Sequence, residues 1–290
     1  MLTTFKNKLK RISGQSNEQR VILIHNHLFK NAGTTIDWAL EKNFGKSFID
    51  HRDDVSMRKG ASYLGPYIDE NRKIRALSTH HLTYPLPILP NTRLVNIMMF
   101  RHPIERVTSV YKFEKNYPEV LTLGVEKARQ LNLRDYILWR MTPQAGATIR
   151  NFHIRKTLPP RKSNQEDIND QDFANSKQLV ATIEMLGLVE KFDESMVLFE
   201  EFMKFQIHRS IDLAYIPQNI GQVEKGSSQS RLDRLKLEIG EDVYNLLIEK
   251  NKPDILLYEW VCEEFTKRTE AVPDFQAKLA KFKSRCPQNS

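Results

Sequence analysis

The stretch Val21-Ile-Leu-Ile24-His-Asn-His-Leu-Phe-Lys30-Asn-Ala-Gly33-Thr-Thr35 decides the fold. Residues 21–24 form a short β-branched run, the signature of a strand buried on both faces. A loop holding Gly33 follows. Ile36, Trp38, Ala39, Leu40 and Phe44 then recur with helical spacing as far as Gly45, a natural helix terminator. Strand, tight loop and helix in that order are the repeating unit of an α/β protein.

The unit recurs downstream. Arg93-Leu-Val-Asn-Ile-Met-Met-Phe100 reads as a strand that ends at Arg101-His-Pro103, and Pro103 suits the first turn of a helix through Ile104, Val107, Val110, Tyr111 and Glu114. Residues 74–79 and 186–189 read as further strands, and 133–141 and 194–205 as helices. Two more helices, over 231–250 and 253–267, close the domain. The polar segments 157–172 and 216–230 read as loops, the second too long for a mere connection. No internal repeat or domain break is visible, so one α/β domain with a central parallel sheet is expected over residues 20–267. Basic tails at 1–19 and 268–290 flank it.

With 290 residues, 40% of them apolar and 28% charged, the composition excludes disordered, collagen-like and disulfide-stapled chains. The net charge of +8 is concentrated at the ends, where Lys6, Lys8, Lys10, Arg11 and Arg20 face only Glu18, and six bases after residue 266 face only Glu270 and Asp274. Between them the charge is balanced, so a nucleic-acid partner is not expected. The tails suit at most a peripheral contact with anionic lipid at the inner membrane face. No run is apolar enough for a signal-peptide core or a transmembrane segment. The only cysteines, Cys262 and Cys286, are a poor basis for a disulfide framework, which points to a reducing, cytoplasmic compartment.

Lys30-Asn31-Ala32-Gly33-Thr34-Thr35 has the makings of an anion site. Backbone N–H groups converge at a helix N-terminus, Gly33 allows close approach of a ligand, Thr34 and Thr35 add hydroxyls, and Lys30 adds a full charge. The order of residues is not that of the nucleotide-triphosphatase loop, because the lysine precedes the glycine and no hydroxyl follows the lysine to hold magnesium. Arg101 to Tyr111 occupies the matching position after another strand. There Arg106 and Ser109, three apart, share a helix face, and Arg101 precedes them in the loop. Two guanidinium groups and a hydroxyl suit a second phosphate.

These motifs resemble those of sulfotransferases that use 3′-phosphoadenosine 5′-phosphosulfate, in particular the carbohydrate sulfotransferases that include heparan sulfate 2-O-sulfotransferase and many bacterial members. The Arg-x-Pro-x-x-Arg-x-x-Ser-x-Tyr pattern is matched throughout by Arg101, Pro103, Arg106, Ser109 and Tyr111. Residues 186–198 and 254–258 also resemble family segments. The resemblance implies a P-loop-like three-layer fold with a central, mostly parallel sheet flanked by helices. It implies sulfuryl transfer to a hydroxyl of a carbohydrate or glycoconjugate, without a metal. Lys30 would neutralise the leaving 5′-phosphate, Thr34, Thr35 and the backbone of Asn31, Ala32 and Gly33 would hold it, and Arg101 and Ser109 would take the 3′-phosphate. The segment 216–230, with Asn219, Gly221, Lys225, Gly226 and Ser227, falls where relatives close over the adenosine.

The acceptor needs a base, and imidazole is best matched to neutral pH. His81 is the first choice and His80 the second. Both follow the strand at 74–79, and adjacent strand residues face opposite ways. His25 and His27 share one strand face and read as structural or substrate-lining, and His102 as packed beside the phosphate loop. Residues 52–67 and 150–161 read as substrate-lining loops whose bases are candidates for meeting an acidic acceptor. The competing expectations are a P-loop-type nucleotide kinase or triphosphatase and a basic, non-enzymatic polyanion-binding protein.

Overall fold

The computed structural model describes residues 19–159, 167–216 and 227–287. Residues 1–18, 160–166 and 217–226, on which sequence expectations fall, lie outside the described residues.

Five strands, β1 (Arg20–Asn26), β2 (Phe48–His51), β3 (Ala76–Thr79), β4 (Thr92–Phe100) and β5 (Met185–Leu188), form one sheet in the order β2-β3-β1-β4-β5. Every neighbouring pair is parallel, with Asn26 level with Thr79 on one side and with Met98 on the other. Residues 80–91 join β3 to β4 without a helix, and the other crossovers that parallel strands require are supplied by helices. These are α1 (Gly33–Phe44), α2 (Asp54–Met57), α3 (Ala61–Glu70), α4 (Pro103–Lys115), α5 (Leu123–Gln130), α6 (Leu133–Arg140) and α7 (Phe152–Thr157). Then come α8 (Asp170–Ala181), α9 (Phe192–Gln206), α10 (Ser228–Ile239), α11 (Glu241–Lys250), α12 (Lys252–Glu270) and α13 (Phe275–Arg285).

The period-2 geometry of a strand sends alternate residues to opposite faces, which here builds two cores. Ile22, Ile24, Leu77, Met98 and Leu186 pack against α3, α7, α8 and α12 through Leu64, Ile154, Val180 and Leu257. Leu23, Val95, Ile97 and Met185 pack against α1, α9 and α13 through Leu40, Phe199 and Phe282. The result is a three-layer α/β fold. A third cluster, built on Val107, Tyr136, Ile239 and Leu247, joins α4, α5, α6, α10 and α11 into a helical lobe.

The structure corrects several expectations. The single helix expected over 231–250 breaks into α10 and α11 at Gly240, which takes φ 82°, a value open to glycine at no steric cost. Residues 52–67 are mostly helical, as α2 and α3. Most of the region expected to be a C-terminal basic tail is ordered: α12 runs to Glu270, and α13 buries Leu279 and Phe282 while its bases face outward. Among the described residues no helix is long and apolar enough to cross a membrane.

Candidate anion-binding site

The connection after β1 turns one way, toward β2, and the one after β4 turns the other way, toward β5. Adjacent parallel strands with diverging connections open a crevice at their C-terminal ends. Lys30 and Arg101 stand in the two loops beside it.

In the first loop Lys30 and Ala32 both adopt left-handed backbone, with φ 63° and 60°. Neither is glycine, so each conformation costs about 1–3 kcal/mol and persists only where neighbours over-determine it. The neighbours are identifiable. Arg101 Nη1 donates to the Lys30 carbonyl at 3.3 Å, and Arg106 Nη1 donates to that of Phe29 at 3.3 Å. The buried Asn31 amide donates to Met99 O at 2.7 Å and meets His153 Nε2 at 2.9 Å. Helix α1 starts with no side-chain cap and no acid in its first turn. The N–H groups of Asn31 and Thr35 are spent within the loop, on Leu28 O and Ala32 O at 3.1 and 3.2 Å. Those of Ala32, Gly33 and Thr34 have no acceptor among the described residues. Open donors and the positive end of a helix dipole together make an anion site.

The ammonium of Lys30 rests over the Phe113 ring, 4.7 Å from its centroid. Burial, then the charge of Arg101, lowers its pKa. An anion between the loops would relieve that repulsion. Ser109 is half-buried on α4, near enough in sequence to share the site. Arg106, expected to present the same face, is only 1% exposed. Besides Phe29 O it donates to Thr148 O, and its guanidinium lies 3.9 Å from the Phe152 ring centroid. Burial pushes its pKa down to about 9. Arg106 therefore braces the loop and is not free to clamp a phosphate.

Gly33 is required for a reason that the sequence does not state. A Cβ there would stand 2.1 Å from His27 Cδ2 and 2.3 Å from Nε2. The glycine thus makes room for an imidazole. That ring belongs to a cluster in which Asp37 accepts from His25 Nδ1 and His27 Nδ1, both at 2.7 Å, and from Arg52 Nη2 at 3.3 Å. Burial alone would raise the Asp37 pKa, but His25 and His27 outweigh it and hold the carboxyl far below the usual range. The three ligand-capable atoms of His25, His27 and Asp37 lie within 4.8 Å of one another. Each imidazole nitrogen, however, meets a different carboxylate oxygen at the length of an N–H···O bond, and Arg52 shares one of them. The group is a hydrogen-bonded carboxylate, and Arg52 divides itself between it and Asp50, whose Oδ1 lies 2.6 Å from Arg52 Nε.

The ring of His80 packs edge-on against His27, with centroids 4.3 Å apart, which puts it beside the first loop. His81 turns to a different set of partners, Asp54 Oδ2 at 3.2 Å and Arg58 Nη2 at 3.4 Å. Burial, then His27, pushes His80 down to about 3, and burial, then Lys156, pushes His81 down to about 4. Lys156 donates to the His80 carbonyl at 3.3 Å, and burial and Arg58 lower it to about 8. The site also has an anchor that sequence reasoning missed. Glu105, buried on the first turn of α4, accepts from Ser228 and from Arg231 Nε at 2.8 Å, so α10 begins against the second loop. Its partners lie more than 120 residues away, and no local pattern signals that pairing.

No protein-family model matches the chain. It is similar to an uncharacterized protein of Archaeoglobus fulgidus, 29% identical over 262 residues, a match that spans 85% of this chain and 98% of that protein.

Proposed function

We propose that the chain is a sulfotransferase that takes its sulfuryl group from 3′-phosphoadenosine 5′-phosphosulfate and passes it to a hydroxyl of a carbohydrate or glycoconjugate. The observation that carries this reading is the junction of two cationic loops across the β1/β4 crevice, with Arg101 seated on the backbone of Lys30. Such a pair suits a ligand with an anionic group at each end. The donor's chemistry fits the residues present: open N–H groups at Ala32, Gly33 and Thr34 and the hydroxyls of Thr34 and Thr35 for the 5′-phosphate, and Arg101 with Ser109 for the 3′-phosphate.

In this mechanism an imidazole takes the proton of the acceptor hydroxyl as its oxygen bonds to sulfur. Lys30 neutralises the 5′-phosphate oxygen that departs with the S–O electron pair. His80, beside the first loop, is the better placed base, and His81 with Arg58 and Lys156 lines the acceptor side. Both imidazoles are neutral and so able to accept a proton. A bound polyanion opposes the burial and cation fields that depress them and moves their pKa values back up.

Incubation with sulfur-labelled donor and a panel of glycans, glycolipids and tyrosine peptides tests the reading. Label transfer to a carbohydrate that is lost in Lys30→Ala is expected. Labelling of peptide alone would remove the carbohydrate assignment, and magnesium-dependent hydrolysis of a nucleoside triphosphate without transfer would overturn the reading.

A further inference from the structure

Helix α12 lies behind the crevice, yet two of its side chains lead to the two loops. Asp254 and Tyr258 are four residues apart and share a helix face. The Asp254 carboxylate accepts the main-chain N–H groups of His153 and Ile154, both at 2.9 Å, in the first turn of α7. That grip fixes His153, whose Nδ1 stands 3.2 Å from Asp254 and whose Nε2 meets the Asn31 amide at 2.9 Å. Asn31 belongs to the first loop. The Tyr258 hydroxyl donates to Glu190 Oε2 at 2.9 Å, and Glu190 Oε1 accepts the main-chain N–H of His102 at 2.8 Å. His102 follows Arg101 in the second loop, and its ring meets that of Tyr258 edge-on, with centroids 5.3 Å apart.

Asp254, His153 and Asn31 are each no more than 1% exposed. Water does not compete for these bonds, and a lost partner would leave a buried polar group unpaired. An ordinary core helix needs only apolar contacts on this face. Here two polar chains start on α12 and end on the backbone or side chain of different loops.

We infer that Asp254 and Tyr258 are positioning residues through which one helix holds the two anion-binding loops at a fixed separation, and so sets the span between the phosphate ends of the ligand. The inference rests on the donor reading above and adds to it a source of selectivity for the doubly phosphorylated nucleotide. A ligand gripped at both ends gains from preorganised loops, and small misplacements of either loop are costly.

Calorimetric titration with adenosine 3′,5′-bisphosphate and with adenosine 5′-phosphate tests it, together with a thermal melt of each protein. Tyr258→Phe keeps the ring on His102 and removes only the hydroxyl. It is expected to weaken the bisphosphate roughly tenfold while leaving the monophosphate unchanged, the loss of one hydrogen bond to a charged group. Asp254→Asn, which disturbs the first loop, is expected to weaken both nucleotides alike. A folded Tyr258→Phe that keeps the wild-type ratio of affinities, or a folded Asp254→Asn that binds both nucleotides as tightly as wild type, would overturn the inference alone. A wild-type protein that shows no preference for the bisphosphate would overturn the donor reading, and the inference with it. If Tyr258→Phe melts below the titration temperature, Glu190→Gln, which keeps both side-chain oxygen positions occupied, serves instead, with the same selective loss expected.

Discussion

Arg101 donates to the main-chain oxygen of Lys30 at 3.3 Å, so a side chain of the second loop holds the backbone of the first. Arg106 holds the preceding carbonyl, that of Phe29, in the same way. The two motifs are therefore one mechanical unit, and the arginines divide its work. Arg101 stays at the crevice, while Arg106 is sealed beneath it.

That division separates two substitutions. Arg106→Lys cannot reach both carbonyls or lie flat on Phe152, and it leaves buried acceptors unpaired, so a loss of about 1–3 kcal/mol is expected in urea unfolding. Arg101→Ala is expected to unfold within about 1 kcal/mol of wild type, because its contact is partly exposed. It should nevertheless lose adenosine 3′,5′-bisphosphate binding at least tenfold.

Gly33→Ala drives a methyl group into the His27 ring, which Asp37 and His80 hold in place. Overpacking of this kind costs about 1–3 kcal/mol. Thermal unfolding should show that loss, and the His27 resonances should move as the ring leaves Asp37. A wild-type melting temperature and unchanged histidine spectra would refute the packing role given to Gly33.

The pH dependence follows from His80 and His81, depressed from 6.5 to about 3 and about 4. Below pH 6.5 the unfolded chain takes up protons that these folded imidazoles refuse. Stability should therefore fall as pH drops from about 6.5 toward 3, and Asp37, held low in the folded state, adds to the same trend. Histidine titration by NMR should place both groups well below 6.5 in the free protein and raise them on addition of adenosine 3′,5′-bisphosphate. On the alkaline side, the lowered pKa of Lys30 should bring activity down at a pH below 10.5.

The helical lobe that carries α4 depends on a buried pair. Glu114 accepts from Arg140 Nη2 at 2.5 Å and from the Tyr136 hydroxyl at 2.5 Å, with the Arg140 and Glu114 side chains 5% and 9% exposed. Glu114→Ala strands the guanidinium, and such a break costs about 3–5 kcal/mol. Equilibrium unfolding measures it. A cost below about 1 kcal/mol would show that water replaces the carboxylate.

The sheet was largely legible because β1, β4 and β5 carry short apolar runs, and β3 a briefer one, Ala76-Leu77, before Ser78 and Thr79. Phe48–His51 was not, since β2 is a four-residue edge strand with a mixed burial pattern and no continuous apolar signal. Both candidate anion loops were visible as basic residues between a strand and a helix. Their internal division of labour was hidden. Arg106 and Ser109 do lie one turn apart, but the packing of Phe152 against α4, distant in sequence, decides which of them is buried. The His25/His27/Asp37 cluster left a fainter trace. Two histidines two apart point to one strand face, whereas Asp37 joins them only when α1 folds back on β1, and Arg52 only when β2 pairs with β3 beside it.

On the proposed reading the two loops bind one ligand by its two phosphate ends. Isothermal titration of the wild-type protein with adenosine 3′,5′-bisphosphate and adenosine 5′-phosphate, in the presence of a chelator, measures it most directly. One saturable site that prefers the bisphosphate at least tenfold is the expected result. Equal affinity for the two nucleotides, or binding that appears only with magnesium, would contradict it.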